Sequence, residues 1–441
     1  MNTKRVAIDD ALAFRWKALA WALDQQAHQH GFVAFLNSNK IAYPNDPFPN
    51  RLFVGAKRVV SFSDTDTFQE LYKAYTEQPG FLVGYLGYDL KNELETLGSR
   101  NPNRLGLPNA YFVEPEWVID FEEDGIIVWG GNDPDSLIEA IKLTGFQKEY
   151  ADKTAQRTSK GVQCRVSPEE YQANVRRIQQ HIRAGDVYEL NYCIEFFVEQ
   201  VLLDPLTVYR ALNERSPMPF SSLLKLGDQY SIGASPERFL KKQGPKILSQ
   251  PIKGTIRRGR NAQEDVMLRE QLVHSEKERA ENLMIVDLVR NDLARSAQTG
   301  SVQVDELFGI YGFQQVYQMI STVSATLRDT VTWADAIRHA FPMGSMTGAP
   351  KIRSMELIDK LEVSRRGLYS GAIGFITPEG DFDFSVVIRT LLYDAQRQYA
   401  SFSVGSAITY DAIPEQEWEE CLLKARAIRE VVESYLHAKR T

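Results

Sequence analysis

Cysteine is scarce in this sequence: Cys164, Cys193 and Cys421 are its only thiols, and none falls in a CxxC pair. That excludes a disulfide-stapled scaffold and a thiol-bound metal cluster, and makes the cytosol (a cytoplasmic location) the expected compartment. No apolar run approaches the length of a membrane span, and the charged stretch Met1–Trp16 has no apolar signal core. No membrane association is expected. Positive charge is not in excess either, since 51 Lys and Arg face 58 Asp and Glu, for a formal charge of −7. A chain of that balance is not a general nucleic-acid binder. Repeats, low-complexity segments and the phosphate-loop spacing GxxxxGK[ST] are also missing.

What is there is an ordinary globular composition, 43% hydrophobic and 25% charged over 441 residues, enough for one large or two moderate domains. Residues 1–150 read as a strand-rich N-terminal domain. Candidate strands lie at 31–36, 58–62 and 81–88, and a helix is expected over 67–77. This part collects no catalytic residue types and reads as scaffold or regulatory. The polar stretch 147–162 reads as a linker. Residues 160–437 form the second, catalytic domain. Ser167 and Pro168 open a helix that ends near Gly185, and a strand follows over 186–192. Asn261 with Glu264, and Ser275 with Glu278, form capping pairs for two further helices. Residues 370–410 read as a β-meander, and a last helix runs from Pro414 to His437. Strand runs separated by helices predict an α+β fold with mostly antiparallel sheets.

The chemistry centres on a short hairpin. Phe239-Leu240 and Ile247-Leu248 are its apolar arms and Gly244-Pro245 its turn. Its two ends carry Glu237 and Lys253, which are thereby brought towards one pocket. A carboxylic acid beside an amine suits acid and nucleophile chemistry, though a surface ion pair has the same pattern. Glu278 and Glu281 share one helix face with Ile285 and Asp292, and Glu417 and Glu420 repeat the spacing with Lys424 one turn on. Converging, the two ExxE pairs offer an oxygen shell to a hard cation such as Mg2+; apart, they line solvated faces. In residues 342–351, glycines with Ser345 and Thr347 lead into Pro350, where a helix begins. Backbone N–H groups at such a junction bind carboxylate or phosphate. Tyr369 and Arg389, the latter placed inside a strand over 384–393, offer further carboxylate donors, though an arginine in a strand is more often an exposed rung.

The strings SPERF at 235–239, PIKGT at 251–255, KERAENLMIVDLVRND at 277–292 and PMGSMTGAPK at 342–351 resemble the chorismate-utilising enzymes. RGLYSGAIG at 366–374 and the segment from Glu417 extend the resemblance over residues 160–430, and Gly84–Tyr88 carries it more weakly into the N-terminal part. It implies two large, mostly antiparallel β-sheets packed as a sandwich with flanking helices. It implies that Glu281 and Glu420 bind Mg2+, supported by Glu278 and Glu417. It also implies that Thr347, Gly348, Ala349, Tyr369, Arg389, the Gly405 loop and Lys424 bind chorismate. Lys253 within PIKGT resembles the aminodeoxychorismate synthase branch, whereas anthranilate synthases usually have a small residue there. Isochorismate and salicylate formers place a base lysine where this chain has Glu189.

The resemblance implies that Lys253 attacks ring carbon C2, that Glu237 protonates the departing C4 hydroxyl, and that ammonia then adds at C4. The attacking amine must be neutral, so the site is expected to lower its pKa while keeping Glu237 protonated. No cysteine sits in a nucleophile turn, so ammonia is expected from a separate glutamine amidotransferase subunit. Three positions depart from the family pattern: Gln318 for a common histidine, Ala407 for a glycine and Ala412 for a serine. The rival readings are an anthranilate synthase large component and a catalytically silent scaffold.

Overall fold

The computed structural model describes residues 3–63, 65–145 and 161–437. Most of the expected linker, 147–162, therefore lies outside the described residues. Among the described residues two sheets make up the fold, one of twelve strands and one of ten, and every strand pairing is antiparallel. Their inner faces meet through aromatic side chains. Phe53 of the larger sheet packs on Phe375 of the smaller at 6.1 Å between ring centroids. Helices cover the outer faces, which is the α+β sandwich expected of the sequence.

Strands from both ends of the chain interleave. Phe32–Asn37 pairs with Phe220–Leu226 in the larger sheet, and Leu82–Leu86 pairs with Ala372–Ile376 in the smaller. Both pairs are buried almost throughout, which accounts for their near-continuous apolar sequence in place of a period-two alternation. The helices Thr67–Glu77 and Pro414–His437 fall where they are expected. Ser167 caps the helix Pro168–Arg183, and its hydroxyl accepts from Glu170 N–H. Asn261 caps Ala262–Val273, but Glu264 turns to Arg260 N–H and Arg257 instead of closing a box.

The expected meander over 370–410 is split between the sheets. Ala372–Ile376 and Phe382–Val386 belong to the smaller sheet, Thr390–Asp394 and Tyr399–Ile408 to the larger. The chain crosses at 387–389, and Arg389 sits on that crossing with a left-handed φ of 51°, not inside a strand. A second crossing joins Gln229–Ser235 to Arg238–Gln243 and carries Glu237. The crossings are bonded to each other: Val386 N–H donates to Glu237 O, and Ala234 N–H to Arg389 O. Glu237 and Arg389 are thereby held at one corner, where the chain passes between the sheets.

Candidate active site

The hairpin forms as expected, with Arg238–Gln243 paired to Lys246–Gln250 and Gly244 in the left-handed region. Arg238 anchors its base. Fully buried, it holds Asp383 with two hydrogen bonds of 2.9 Å, which fixes the Ser235–Glu237 turn beside it. Lys253 is aimed by a bulge in the strand Ile252–Arg257. Ile252 faces Ile320 and Thr255 faces Gln318, so two residues of this strand oppose one on its partner. Gly254 takes up the strain with a φ of 87°, and its missing side chain leaves room for Glu278.

Lys253 Nζ reaches across from the smaller sheet to Glu189 of the larger and donates to its Oε1 at 2.6 Å. Burial alone lowers the pKa of this lysine, but Glu189, Glu281 and Glu237 outweigh it and the net shift is upward. This reverses the expected lowering. Three buried carboxylates act on the amine, and together they outweigh its burial. Glu237 behaves as expected: burial pushes its carboxyl up to about 7, against the pull of Ser345 and Lys253.

Glu278 and Glu281 lie on the helix Glu276–Ala294, capped by Ser275, and Glu417 and Glu420 lie on Pro414–His437. The two pairs meet around Lys277. Its ammonium is 3.8 Å from Glu281 and 3.6 Å from Glu417. Burial raises Glu278, and it pushes Glu281 up to about 7. Burial acts against ionised Glu420 as well, but Lys424 at 2.5 Å outweighs it and the net shift is downward. Glu417 accepts a hydrogen bond from Ser406. Among the described residues no three acidic, histidine or cysteine side chains are gathered tightly enough to hold an ion. The donor set nevertheless fits a hard cation. It is all oxygen, Glu281 Oε1 is buried without a hydrogen-bond partner, and a side-chain cation already stands between the pairs.

Gly348-Ala349 is not an open loop but a two-residue strand against Glu189-Leu190. A β-carbon on Gly348 would lie 2.2 Å from Glu189 O, so the close approach requires glycine. Thr347 Oγ1 donates back to Met343 and Gly344 carbonyls. Arg366, unforeseen in the sequence, holds this segment through Met346 O at 2.6 Å while pairing with Glu362. Gly405 lies within the strand Tyr399–Ile408, not in a loop, and faces Cys193 so closely that a β-carbon would meet its sulfur at 2.5 Å. Its carbonyl accepts from Lys424 at 2.9 Å. Tyr369 hydroxyl donates to Cys193 Sγ at 3.5 Å. The Arg389 guanidinium makes no hydrogen bond or ion pair among the described residues, and burial lowers its pKa. A guanidinium so placed is a ready partner for an anion. Gln318 is buried with its Oε1 unpartnered.

Comparison with known proteins agrees with this geometry. Residues 20–430 match the family of chorismate binding enzymes. The chain is 37% identical over 366 residues to anthranilate synthase component 1 of Thermus thermophilus, spanning 80% of this chain and 78% of that one. It is 36% identical over 358 residues to aminodeoxychorismate synthase component 1 of Klebsiella aerogenes, with the same two coverages, 80% and 78%. The crystal structure of anthranilate synthase component I from Streptococcus pneumoniae TIGR4 superposes with a TM-score of 0.75 at 27% identity, over 97% of this chain and 100% of that one. The match from 20 to 430 takes in every side chain from Glu189 to Lys424 described above, and this chain belongs to the chorismate binding enzymes.

Proposed function

We propose that this protein is the large component of an aminodeoxychorismate synthase, a Mg2+-dependent enzyme that converts chorismate and ammonia to 4-amino-4-deoxychorismate. It would serve para-aminobenzoate and folate biosynthesis. The observation that carries this reading is a buried lysine amine beside a buried carboxyl held near pH 7. Relatives named for anthranilate synthesis are equally similar, and the lysine in PIKGT is what favours the aminating branch.

In this reading the neutral Lys253 amine forms a bond to C2 while the C4–O bond breaks, and Glu237 gives its proton to the leaving hydroxyl. Ammonia then bonds to C4 and the bond to Lys253 breaks, which restores the amine. Arg389, Tyr369, Lys424 and the Thr347–Ala349 segment hold the carboxylates of chorismate. Mg2+, held by Glu281 and Glu420 with Glu278 and Glu417 in support, supplies positive charge for the ring carboxylate.

The test is the mass of the product from chorismate, ammonium and Mg2+. Aminodeoxychorismate retains the enolpyruvyl group, whereas release of pyruvate with anthranilate would assign the chain to the other branch. Glutamine should not replace ammonium for the purified chain. Burial pushes the Cys193 and Cys421 thiols up to about 12 and raises Cys164, so none is an activated nucleophile. Glutamine turnover should appear only with a separate amidotransferase subunit.

The pH profile supplies a second check. Attack needs Lys253 neutral and Glu237 protonated. Below about pH 7 the rate of adduct formation rises with pH as Lys253 loses its proton. Above about 7 it levels, because each gain in neutral amine is offset by ionisation of Glu237. Glu237→Gln should slow adduct formation by about 10²–10⁴-fold at neutral pH and abolish the break, leaving a continuous rise. A break retained in that variant would assign the titration to another group.

A further inference from the structure

Two buried carboxylate oxygens around Lys253 have no hydrogen-bond partner, Glu281 Oε1 and Glu189 Oε2. Glu281 has a role in the proposed metal site. Glu189 has none. It is 1% exposed and opens the strand Glu189–Glu199, while its Oε1 takes the Lys253 amine at 2.6 Å. Its backbone is pinned on the neighbouring segment, since it pairs with Ala349 and its carbonyl accepts from Ser354 Oγ. The carboxylate therefore stays beside Lys253 with one oxygen buried and without a hydrogen-bond partner. Leaving a buried charged acceptor unpaired is unfavourable, and such an oxygen attracts a small donor or cation.

We infer that Glu189 is the binding position of the nitrogen co-substrate, with the ammonium ion donating to Oε2 beside the Lys253 amine. The inference rests on the proposed amination of chorismate and adds where its nitrogen waits. Ammonium suits the position on three grounds. It is a cation, whereas chorismate is an anion that a buried carboxylate repels. It brings its own N–H donors, so one acceptor beside an amine suffices, where Mg2+ needs a near-octahedral shell of oxygens. It also arrives within reach of the group it must displace, since Lys253 is bonded to the same carboxylate.

Glu189→Gln tests this, because the amide keeps an oxygen for Lys253 and removes only the charge. Ammonium chloride is varied at constant ionic strength, with chorismate and Mg2+ saturating. The KM for ammonium should rise by about 10- to 100-fold, the loss of one charge-assisted hydrogen bond. The KM for chorismate should not move. Adduct formation on Lys253 in the absence of ammonium should proceed undiminished, since a carboxylate that holds the proton on the amine is gone. Glu189→Asp, with the charge kept but drawn back by one methylene, should give an intermediate KM for ammonium, and it serves as the test by itself if the Gln variant does not fold. An unchanged KM for ammonium in the folded variants overturns the inference. So does a fall in adduct formation that matches the fall in turnover, which would make Glu189 a partner of the lysine alone. If the wild type makes no product from chorismate and ammonium, the proposed function fails with it. Turnover by the wild type with an unchanged KM in the variants defeats the Glu189 inference only.

Discussion

Lys253→Ala is expected to form no covalent adduct with chorismate and to lose at least about 10³-fold in amination rate, the scale on which removal of a nucleophile acts. The measurement is intact-protein mass after exposure to chorismate and Mg2+ without ammonia. Wild type should gain the mass of chorismate less one water, and the variant should gain nothing. Direct attack of ammonia at C4 sets the floor of residual turnover. The carboxylates around Lys253 make this the most demanding step of the proposed reaction. At a reference pKa of about 10.4 only about one lysine in a few thousand is neutral at pH 7. Glu189, Glu281 and Glu237 make the neutral form rarer still in the unliganded site. With Glu237 protonated and Mg2+ held at Glu281, two of the three charges that disfavour the neutral amine would be offset. Removing the lysine also strands Glu189 as a buried unpaired charge, which costs about 3–5 kcal/mol. Lys253→Gln keeps a donor for Glu189 and separates lost chemistry from lost stability. Wild-type turnover in a folded Lys253→Gln protein with no adduct in wild type would end the nucleophile assignment.

Much of this site was legible because its residues lie in short strings whose local structure follows from the residues themselves. The hairpin read correctly since Gly244-Pro245 can only turn and its arms are apolar. The helices that carry the ExxE pairs read correctly from Ser275 and Pro414, which open them. Reading failed where tertiary pairing decides. Residues 370–410 alternate like one meander, yet the chain leaves one sheet for the other at Val387–Arg389, and no local signal marks the change. Gly405 and Gly348-Ala349 looked like loops because glycine is a loop residue; here glycine serves the close approach of neighbouring strands. The paired interleaving of residues 32–37 with 220–226 is likewise a property of the folded sheet alone. Glu189 stood out in the sequence only as the position where isochorismate and salicylate formers place a lysine. The structure shows that its partner is Lys253. The raised pKa of that lysine was also out of reach, since it depends on three carboxylates brought from separate elements.

Glu281→Gln should leave the fold intact and remove the response to Mg2+. The residue is 7% exposed, and burial holds its carboxyl up to about 7, so the ionised form is a disfavoured guest unless a cation faces it. Lys277 faces it only loosely, at 3.8 Å, and Oε1 has no hydrogen-bond partner. The neutral amide occupies the same volume without that desolvation penalty, so the variant should unfold at the wild-type temperature or above it in the absence of metal. Wild type should gain stability on adding Mg2+. A ligand that binds only the folded state at about a hundred times its Kd adds about 2.7 kcal/mol, which appears as a rise of several degrees in Tm. The variant should lack that rise and lose about 10²-fold or more in activity at low Mg2+, with partial recovery at high metal. Asp287→Asn on the same helix is the control. Asp287 is exposed and paired with Arg290, so its loss should change neither the shift nor the activity. The thermal shift reads binding without reference to turnover, so a silent enzyme is not mistaken for a metal-free one. A Glu281→Gln protein that keeps both the full Mg2+ shift and full activity at low metal would show that the ion is held elsewhere. The convergence of the two ExxE pairs on Lys277 would then be a solvated cluster with no part in the chemistry.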